Sequence, residues 1–413
     1  MTCQDGDDDA GPVTLANPRP APAAPRRSRP VPLLFLSSAT GGGHRAAAAA
    51  VAEALDRRYP GQYTTVSCDP LAGPGSAWLP RSIARGYGWL IRYAPWLWGL
   101  LYRATDSPLA ARLVQRLATR MAGDRVAGAI TACRPALIVS FHPFTSQAAI
   151  AARDATAPGT RVITMVTDLG PPHATWTGPK TDQIVLAAAV GVPVGSGFLA
   201  APPGPAGRVA QRRRLGHPEA TFLVLLVGGA EGAGKLARQA TAIVRNLPDV
   251  DVAVICGKNR LLHRRLSRLP ARYRGRLSVH GFVTNLGGWL RAADLVATKA
   301  GPATIAEAAC CGAAMVLTCH LPGQERDNVG LVTGAGAGEY WPRVSQLSPG
   351  IARLRDDGAT LAAMRAAAAR LARPDAADTV AALLAGGLPA VPGLDLDLPR
   401  SARPLVLADG HGA

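Results

Sequence analysis

Lysine is nearly missing from this 413-residue chain: Lys180, Lys235, Lys258 and Lys299 stand against 41 arginines. A bias that strong, set among abundant alanine, glycine and proline, reads as genome composition and not as a binding code. Acidic residues are also scarce, 28 against 45 basic ones, for a formal charge of +17. That surplus favours anionic partners (nucleic acid, phospholipid head groups or phosphorylated substrates) without choosing among them. Long apolar runs are lacking too. No window reaches the roughly 18 uninterrupted apolar residues of a membrane-crossing helix. No apolar h-region precedes residue 31, so a signal peptide is not expected, and a cytoplasmic protein is. The seven cysteines (Cys3, Cys68, Cys133, Cys256, Cys310, Cys311 and Cys319) show neither C-x-x-C nor zinc spacing, and are expected as reduced thiols. With 48% hydrophobic and 18% charged residues, a wholly disordered chain is excluded.

What is present is a repeated strand, turn and helix. Residues 1–30 and 387–413 are Pro-rich and read as tails. VPLLFLSSAT (31–40) ends in a glycine run and leads into an Ala-rich helix from Arg45 to Leu55, the opening unit of a parallel α/β sheet. PALIVSF (135–141) and RVITMVTD (161–168) continue it as buried strands. A second series follows at 221–229, 250–257, 276–282, 294–301 and 313–319, with Ala/Leu/Arg helix over 350–386. Two doubly wound α/β domains are predicted, 31–195 and 218–386, with a linker at 196–217 and a ligand in the cleft between them.

One segment breaks the pattern. Residues 76–108 hold Trp78, Trp89, Trp96 and Trp98, four of the seven tryptophans, interleaved with Arg81, Arg85, Arg92 and Arg103. Interleaved Trp and Arg suit a membrane surface, where indole sits at the interface and guanidinium meets phosphate. An ordinary core helix with aromatic packing fits the same pattern.

Three glycine-rich loops each follow a strand: Thr40–His44, Gly228–Gly234 and Lys299–Thr304. Such loops expose backbone N–H groups to an anion, and three of them in two domains suggest a nucleotide diphosphate. The second loop imitates a P-loop from Gly229 to Lys235, but Leu236 follows where a hydroxyl should hold magnesium, which excludes an NTPase of that type. No loop carries G-x-G-x-x-G with an acid about 20 residues on, so dinucleotide chemistry is weakly supported. Asp395 and Asp397 form a D-x-D inside the C-terminal tail and carry no metal expectation. His44, closing a glycine turn at the sheet's mouth, suits proton transfer near neutral pH; a histidine that merely braces the turn has the same position. Glu307, on the helix after the third loop, could accept both hydroxyls of a ribose or simply favour the helix dipole. Gln324, Glu325 and Asn328 gather amide and carboxylate groups fit for sugar hydroxyls, or a solvated polar turn.

GGGHRAAAAA (41–50), YAPWLWGLLYRATDSP (93–108), VTDLGPPHATW (166–176), VGGAEGAG (227–234), CGKN (256–259), GFVTN (281–285), TKAGPATIAEA (298–308) and PGQERDN (322–328) occur in this order. Together they resemble the monogalactosyldiacylglycerol synthase group of glycosyltransferases, over about residues 31 to 385. The resemblance implies the GT-B fold, a UDP-sugar as co-substrate, no tightly bound cofactor and no metal site. It implies His44 as base on the acceptor hydroxyl, Gly229 and Gly232 near the donor phosphates, Phe282 against the uracil and Glu307 on the ribose. Gly301, Pro302 and Thr304 would line the pyrophosphate, with Gln324, Glu325 and Asn328 on the hexose. Trp89, Arg92, Trp96, Trp98 and Arg103 would face lipid acceptor and bilayer.

The reaction implied is inverting transfer of a hexose to a membrane lipid such as diacylglycerol, by an enzyme peripheral on the inner face of the cell membrane. The partners implied are the UDP-sugar, the lipid and an anionic membrane surface; no nucleic-acid motif or basic stripe is found. A UDP-sugar epimerase or hydrolase on the same fold, and a catalytically weakened or purely binding homologue, are the alternatives. Three departures from the pattern stand out. Ala230 replaces a glycine, the serine usual soon after the arginine of the first helix is missing, and the last β-α unit after Asp182 reads as deleted.

Overall fold

The computed structural model describes residues 29–38, 42–71, 78–178, 181–217, 222–270, 273 and 275–386. Both expected tails, apart from Arg29 and Pro30, and Thr40 and Gly41 of the first loop lie outside the described residues.

The first half runs β1 (Val31–Leu36), α1 (Gly42–Arg58), β2 (Tyr63–Cys68), α2 (Trp78–Tyr93), α3 (Pro95–Thr105), α4 (Pro108–Cys133), β3 (Leu137–Ser140), α5 (Pro143–Thr156), β4 (Arg161–Val166), β5 (Gln183–Leu186) and α6 (Ala187–Val190). α7 (Pro205–Arg214) crosses to the second half. There follow β6 (Phe222–Val227), α8 (Leu236–Asn246), β7 (Val250–Ile255), α9 (Arg260–Ser267), β8 (Leu277–His280), α10 (Leu286–Ala292) and β9 (Leu295–Lys299). The chain closes with α11 (Pro302–Cys310), β10 (Met315–Cys319), α12 (Arg326–Gly334), β11 (Gly338–Tyr340), α13 (Leu347–Asp356), α14 (Gly358–Leu371) and α15 (Ala376–Gly386).

All strand pairs are parallel, in the orders β2-β1-β3-β4-β5 and β11-β10-β9-β6-β7-β8. Helices cover both faces of each sheet, which is why the central strands are continuous apolar runs such as Leu33–Leu36, all inaccessible to solvent. The strand order reverses direction at β1/β3 and at β6/β9. The carboxyl ends at those two points are where an open α/β sheet receives a ligand.

The expected division of the chain needs one refinement and one correction. Residues 196–217, the expected linker, are structured against the second domain. They form a short helical turn at Ser196–Phe198 and then α7, whose buried Arg212 pairs with Asp294 and donates from Nε to the Ala292 carbonyl at 2.8 Å. The second domain also does not run to residue 386. α15 is buried almost all round and packs into the core of the first sheet through Val380, Ala381 and Leu384. The physical reason lies beside it. The last β-α unit of the first domain is present, contrary to its expected deletion, but α6 is a single turn and cannot cover the sheet face beyond β5. α15 returns from the chain's end to cover it, in contact with α1 and α6.

A candidate active site between two sheets

His44 sits in the first turn of α1, just past the carboxyl end of β1. Its Nδ1 shares a 2.8 Å hydrogen bond with Thr167 Oγ1, and its ring lies 4.8 Å from that of His142 and 5.9 Å from that of Trp176. Burial lowers its pKa below 6.5, opposed in part by the Asp168 carboxylate. His142 is also pushed well below 6.5, by burial and by His44. It caps α5 by accepting the Phe144 N–H at Nδ1. Two neutral imidazoles therefore stand together at neutral pH, and a neutral imidazole can take a proton. Buried Asp168, just after β4, accepts hydrogen bonds from Trp176 Nε1 (2.9 Å) and, across the cleft, from Gln324 Nε2 (3.2 Å). Thr167, Asp168, His142 and Trp176 were not singled out from the sequence. The available signal was the hydroxyl–carboxylate pair that ends the apolar run RVITMVTD.

The facing wall belongs to the second sheet. The loop after β6 turns through Gly229 and Gly232, both in the left-handed region. At Gly232 a Cβ would run into the Cys256 carbonyl oxygen, so the turn requires glycine. The loop is braced by Lys258 N–H on the Ala230 carbonyl (2.8 Å) and by Asn259 Nδ2 on the Gly232 carbonyl (3.2 Å). Ala230, the departure noted above, presses its methyl against Gly42 of the opposite domain; a Cβ at Gly42 would lie 2.6 Å away. After β9, Gly301 caps α11 and Pro302 opens it, so the free N–H groups of that helix face the cleft. Glu307, half-buried on α11, is pushed up to about 8 by burial.

His44, Gly229, Phe282, Gly301, Pro302, Thr304, Glu307, Gln324 and Glu325 all line one cavity of about 670 Å³. Phe282 presents a ring 63% exposed at its rim. Gly232 and Asn328 do not line it, and Glu325 does so with its carboxylate already engaged. Gly232 shapes its loop from behind. Glu325 reaches the cavity, but its carboxylate is occupied by Lys299 and by the Leu321 N–H at 2.9 Å. Asn328 is buried away from the cavity and holds the Ala300 carbonyl at 2.8 Å. These last two fix the loops that carry the cavity-facing groups.

α2 and α3 lie against both domains. Arg92, expected to face lipid, instead binds Glu231 in the glycine loop of the second domain, through Nε to the carbonyl (2.9 Å) and an ion pair of 2.6 Å. Trp98 is not at the surface either: it is half-buried, edge-on to Tyr87 at 5.2 Å. Gly99 allows α3 to pass closely over Pro322, beside Gln324. Trp89, Tyr93, Trp96, Leu100 and Arg103 are exposed, Trp96 to 69%. α4 continues this exposed apolar character. Leu109, Leu113 and Leu117, the first 79% exposed, recur every four residues, flanked by exposed Arg112, Arg116 and Arg120. Its buried stripe of Ala111, Gln115, Ala118 and Ala122 lies on the opposite side. Among the described residues, no helix is long and apolar enough to cross a membrane, and no three His, Cys, Asp or Glu gather as metal ligands.

Known proteins resemble the chain along most of its length. A family model described as monogalactosyldiacylglycerol (MGDG) synthase matches residues 44–190, and one described as glycosyltransferase family 28 C-terminal domain matches residues 223–380. Monogalactosyldiacylglycerol synthase 1, chloroplastic, of Arabidopsis thaliana is 30% identical over 84% of this chain and 69% of its own length. A probable chloroplastic monogalactosyldiacylglycerol synthase of Glycine max is 32% identical over 84% of this chain and 70% of its own. The chloroplastic placement of these relatives gives the expected cytoplasmic one no support. Among solved structures, Acinetobacter baumannii MurG superposes with a TM-score of 0.52 at 17% identity, covering 86% of this chain and 99% of its own. Anabaena HepE, crystallised with UDP-glucose, gives 0.51 at 15% identity over 86% and 100%. The two parallel-sheet domains are a GT-B fold, and the chain belongs to the monogalactosyldiacylglycerol synthase family of glycosyltransferases.

Proposed function

We propose that the protein transfers a hexose from a UDP-sugar to a lipid hydroxyl with inversion at the anomeric carbon. One observation carries the reading: a neutral, half-buried histidine on one wall of a single cavity faces a glycine loop, a helix N-terminus, Phe282 and Glu307 on the other. HepE, with the same fold, binds UDP-glucose, which fits this division. Phe282 would lie against the uracil, Glu307 would hold the ribose, and Gly301, Pro302 and Thr304 would surround the pyrophosphate. Gln324 would meet the hexose.

His44 then takes the proton of the acceptor hydroxyl through Nε2, in the tautomer whose Nδ1–H is donated to Thr167 Oγ1. As the new C–O bond forms, the bond to UDP breaks on the opposite face of the sugar. The charge developing on the leaving diphosphate is met by the loop amides and the N-terminus of α11, a stabilisation that needs no metal. The acceptor is read as a membrane lipid such as diacylglycerol. The exposed Trp89, Trp96, Leu100 and Arg103, with the leucine and arginine rows of α4, suit peripheral contact with an anionic bilayer.

The reading is tested by UDP release from several UDP-hexoses, with and without anionic liposomes containing diacylglycerol. Release that requires both one hexose and the lipid is expected. Release without lipid would make the protein a hydrolase, and absence of UDP binding would overturn the assignment.

A further inference from the structure

Asp168 and Gln324 belong to different domains and lie 156 residues apart, yet their side chains meet in the cavity. Asp168 is 6% exposed. One of its oxygens, Oδ2, is taken by the indole N–H of Trp176, a group that can only donate. The other, Oδ1, meets the Gln324 amide at 3.2 Å.

A glutamine amide has two nearly isosteric orientations, and its neighbours decide which is adopted. A carboxylate holding one N–H donor already can offer a second neighbour only an acceptor. Gln324 must therefore turn its NH₂ toward Asp168. The reverse orientation would set two oxygens against each other in a buried place. The consequence falls on the other end of the amide: Gln324 Oε1 is buried and has no hydrogen-bond partner among the described residues. A buried acceptor left without a donor is costly unless something supplies one. A sugar hydroxyl is such a donor.

We infer that Asp168 is a positioning residue for the sugar: it locks the Gln324 amide so that Oε1 faces the hexose only as an acceptor, and so selects a hexose hydroxyl pointing at it. The assignment rests on the sugar-nucleotide reading of the cavity. It gives Asp168 a share in donor choice although it sits on the wall that carries His44. Because the lock spans the two domains, it forms only with the cleft arranged as it is here.

Asp168→Asn keeps size and shape, but its one oxygen must stay on the Trp176 N–H, so its NH₂ faces Gln324 and favours the reversed amide, with NH₂ in place of Oε1 toward the hexose. Calorimetry with UDP, UDP-galactose and UDP-glucose, without acceptor, measures the hexose's own contribution to binding. UDP affinity should stay within about twofold in the variant, while the advantage of the preferred UDP-hexose over UDP falls about tenfold. Preference between the two hexoses should shrink with it. The Asp168→Asn/Gln324→Ala double variant should be no worse than Gln324→Ala alone, since both remove one interaction. Asp168→Glu, which keeps an acceptor-only group, should preserve the hexose preference better than Asp168→Asn. Should Asp168→Asn fail to fold, Asp168→Ser repeats the measurement, with UDP affinity as the control for an intact cavity.

Unchanged hexose preference in Asp168→Asn would overturn the assignment. So would equal weakening of UDP and both UDP-hexoses, or additive losses in the double variant. Wild-type protein that binds UDP but gains nothing from either hexose would overturn it while leaving the nucleotide site standing. Wild-type protein that binds no UDP would overturn the sugar-nucleotide reading and this assignment together.

Discussion

The two walls of the cleft are built from the same strand-turn-helix unit but differ in what they do with charge. The wall after β1 and β3 is neutral where it matters: His44 and His142 are both held below their ordinary pKa by burial. The wall after β6 and β9 is crowded with partnered charge and shaped backbone. Glu231 meets Arg92, Lys299 meets Glu325, and the loop through Gly229 and Gly232 is in the left-handed region. In the proposed reaction an imidazole base must be uncharged before it takes a proton, whereas a diphosphate site must offer fixed dipoles that need no rearrangement. One supersecondary unit meets both needs because the fold fixes only the position of the loop, not its chemistry.

That contrast predicts separable losses. The largest is expected from His44→Ala, which should lower turnover by roughly 10²–10⁴-fold with UDP affinity nearly intact, read by steady-state kinetics and calorimetry. Equal loss of both would erase the distinction between the walls. On the other wall, Gly232→Ala should cost at least about 2 kcal/mol in unfolding free energy and weaken UDP binding, since a Cβ there is strained by its φ of +57° and meets the Cys256 carbonyl.

Glu307 sharpens the contrast through pH. Burial holds its carboxyl neutral up to about 8, against an ordinary value of 4.5, so the folded protein binds more protons than the unfolded chain between those values. The ligand-free protein should therefore lose stability as pH rises from about 4.5 to about 8 through this group. Glu307→Gln should flatten that decline in denaturant melts taken across the window. The smallest effect belongs to Arg92→Gln. A partly buried ion pair of this kind should be worth about threefold to tenfold in UDP affinity. Vesicle co-sedimentation should hardly change, because Arg92 faces the glycine loop and not solvent. A variant that lost vesicles and kept UDP would return Arg92 to the membrane face.

Much of this was legible in the sequence, for reasons that also mark where reading stopped. Buried parallel strands announce themselves as apolar runs, so the central strands of both sheets were found. β2 and β5 were missed because YTTVSC and QIVL are short, partly exposed edge strands with too little apolar sequence to stand out. β11, three residues long, had the same fault. α15 looked like the end of the second domain because sequence order is silent on which core an all-round apolar helix enters. Individual cavity-facing residues followed glycine loops that local sequence displays. Their supports did not: Asp168 with Gln324 and Arg92 with Glu231 are pairs that only the closed arrangement of two domains brings together. Interleaved Trp and Arg drew together Trp89 and Trp96, which are exposed, and Arg92 and Trp98, which turn inward on the same helices.

The most direct test of the proposed reaction is the anomeric configuration of the glycolipid formed from a UDP-α-hexose and diacylglycerol in anionic vesicles, read by proton NMR of the purified product. A β-linked hexose is the result expected from in-line attack by a hydroxyl deprotonated at His44. An α-linked product, or free hexose in place of glycolipid, would contradict it.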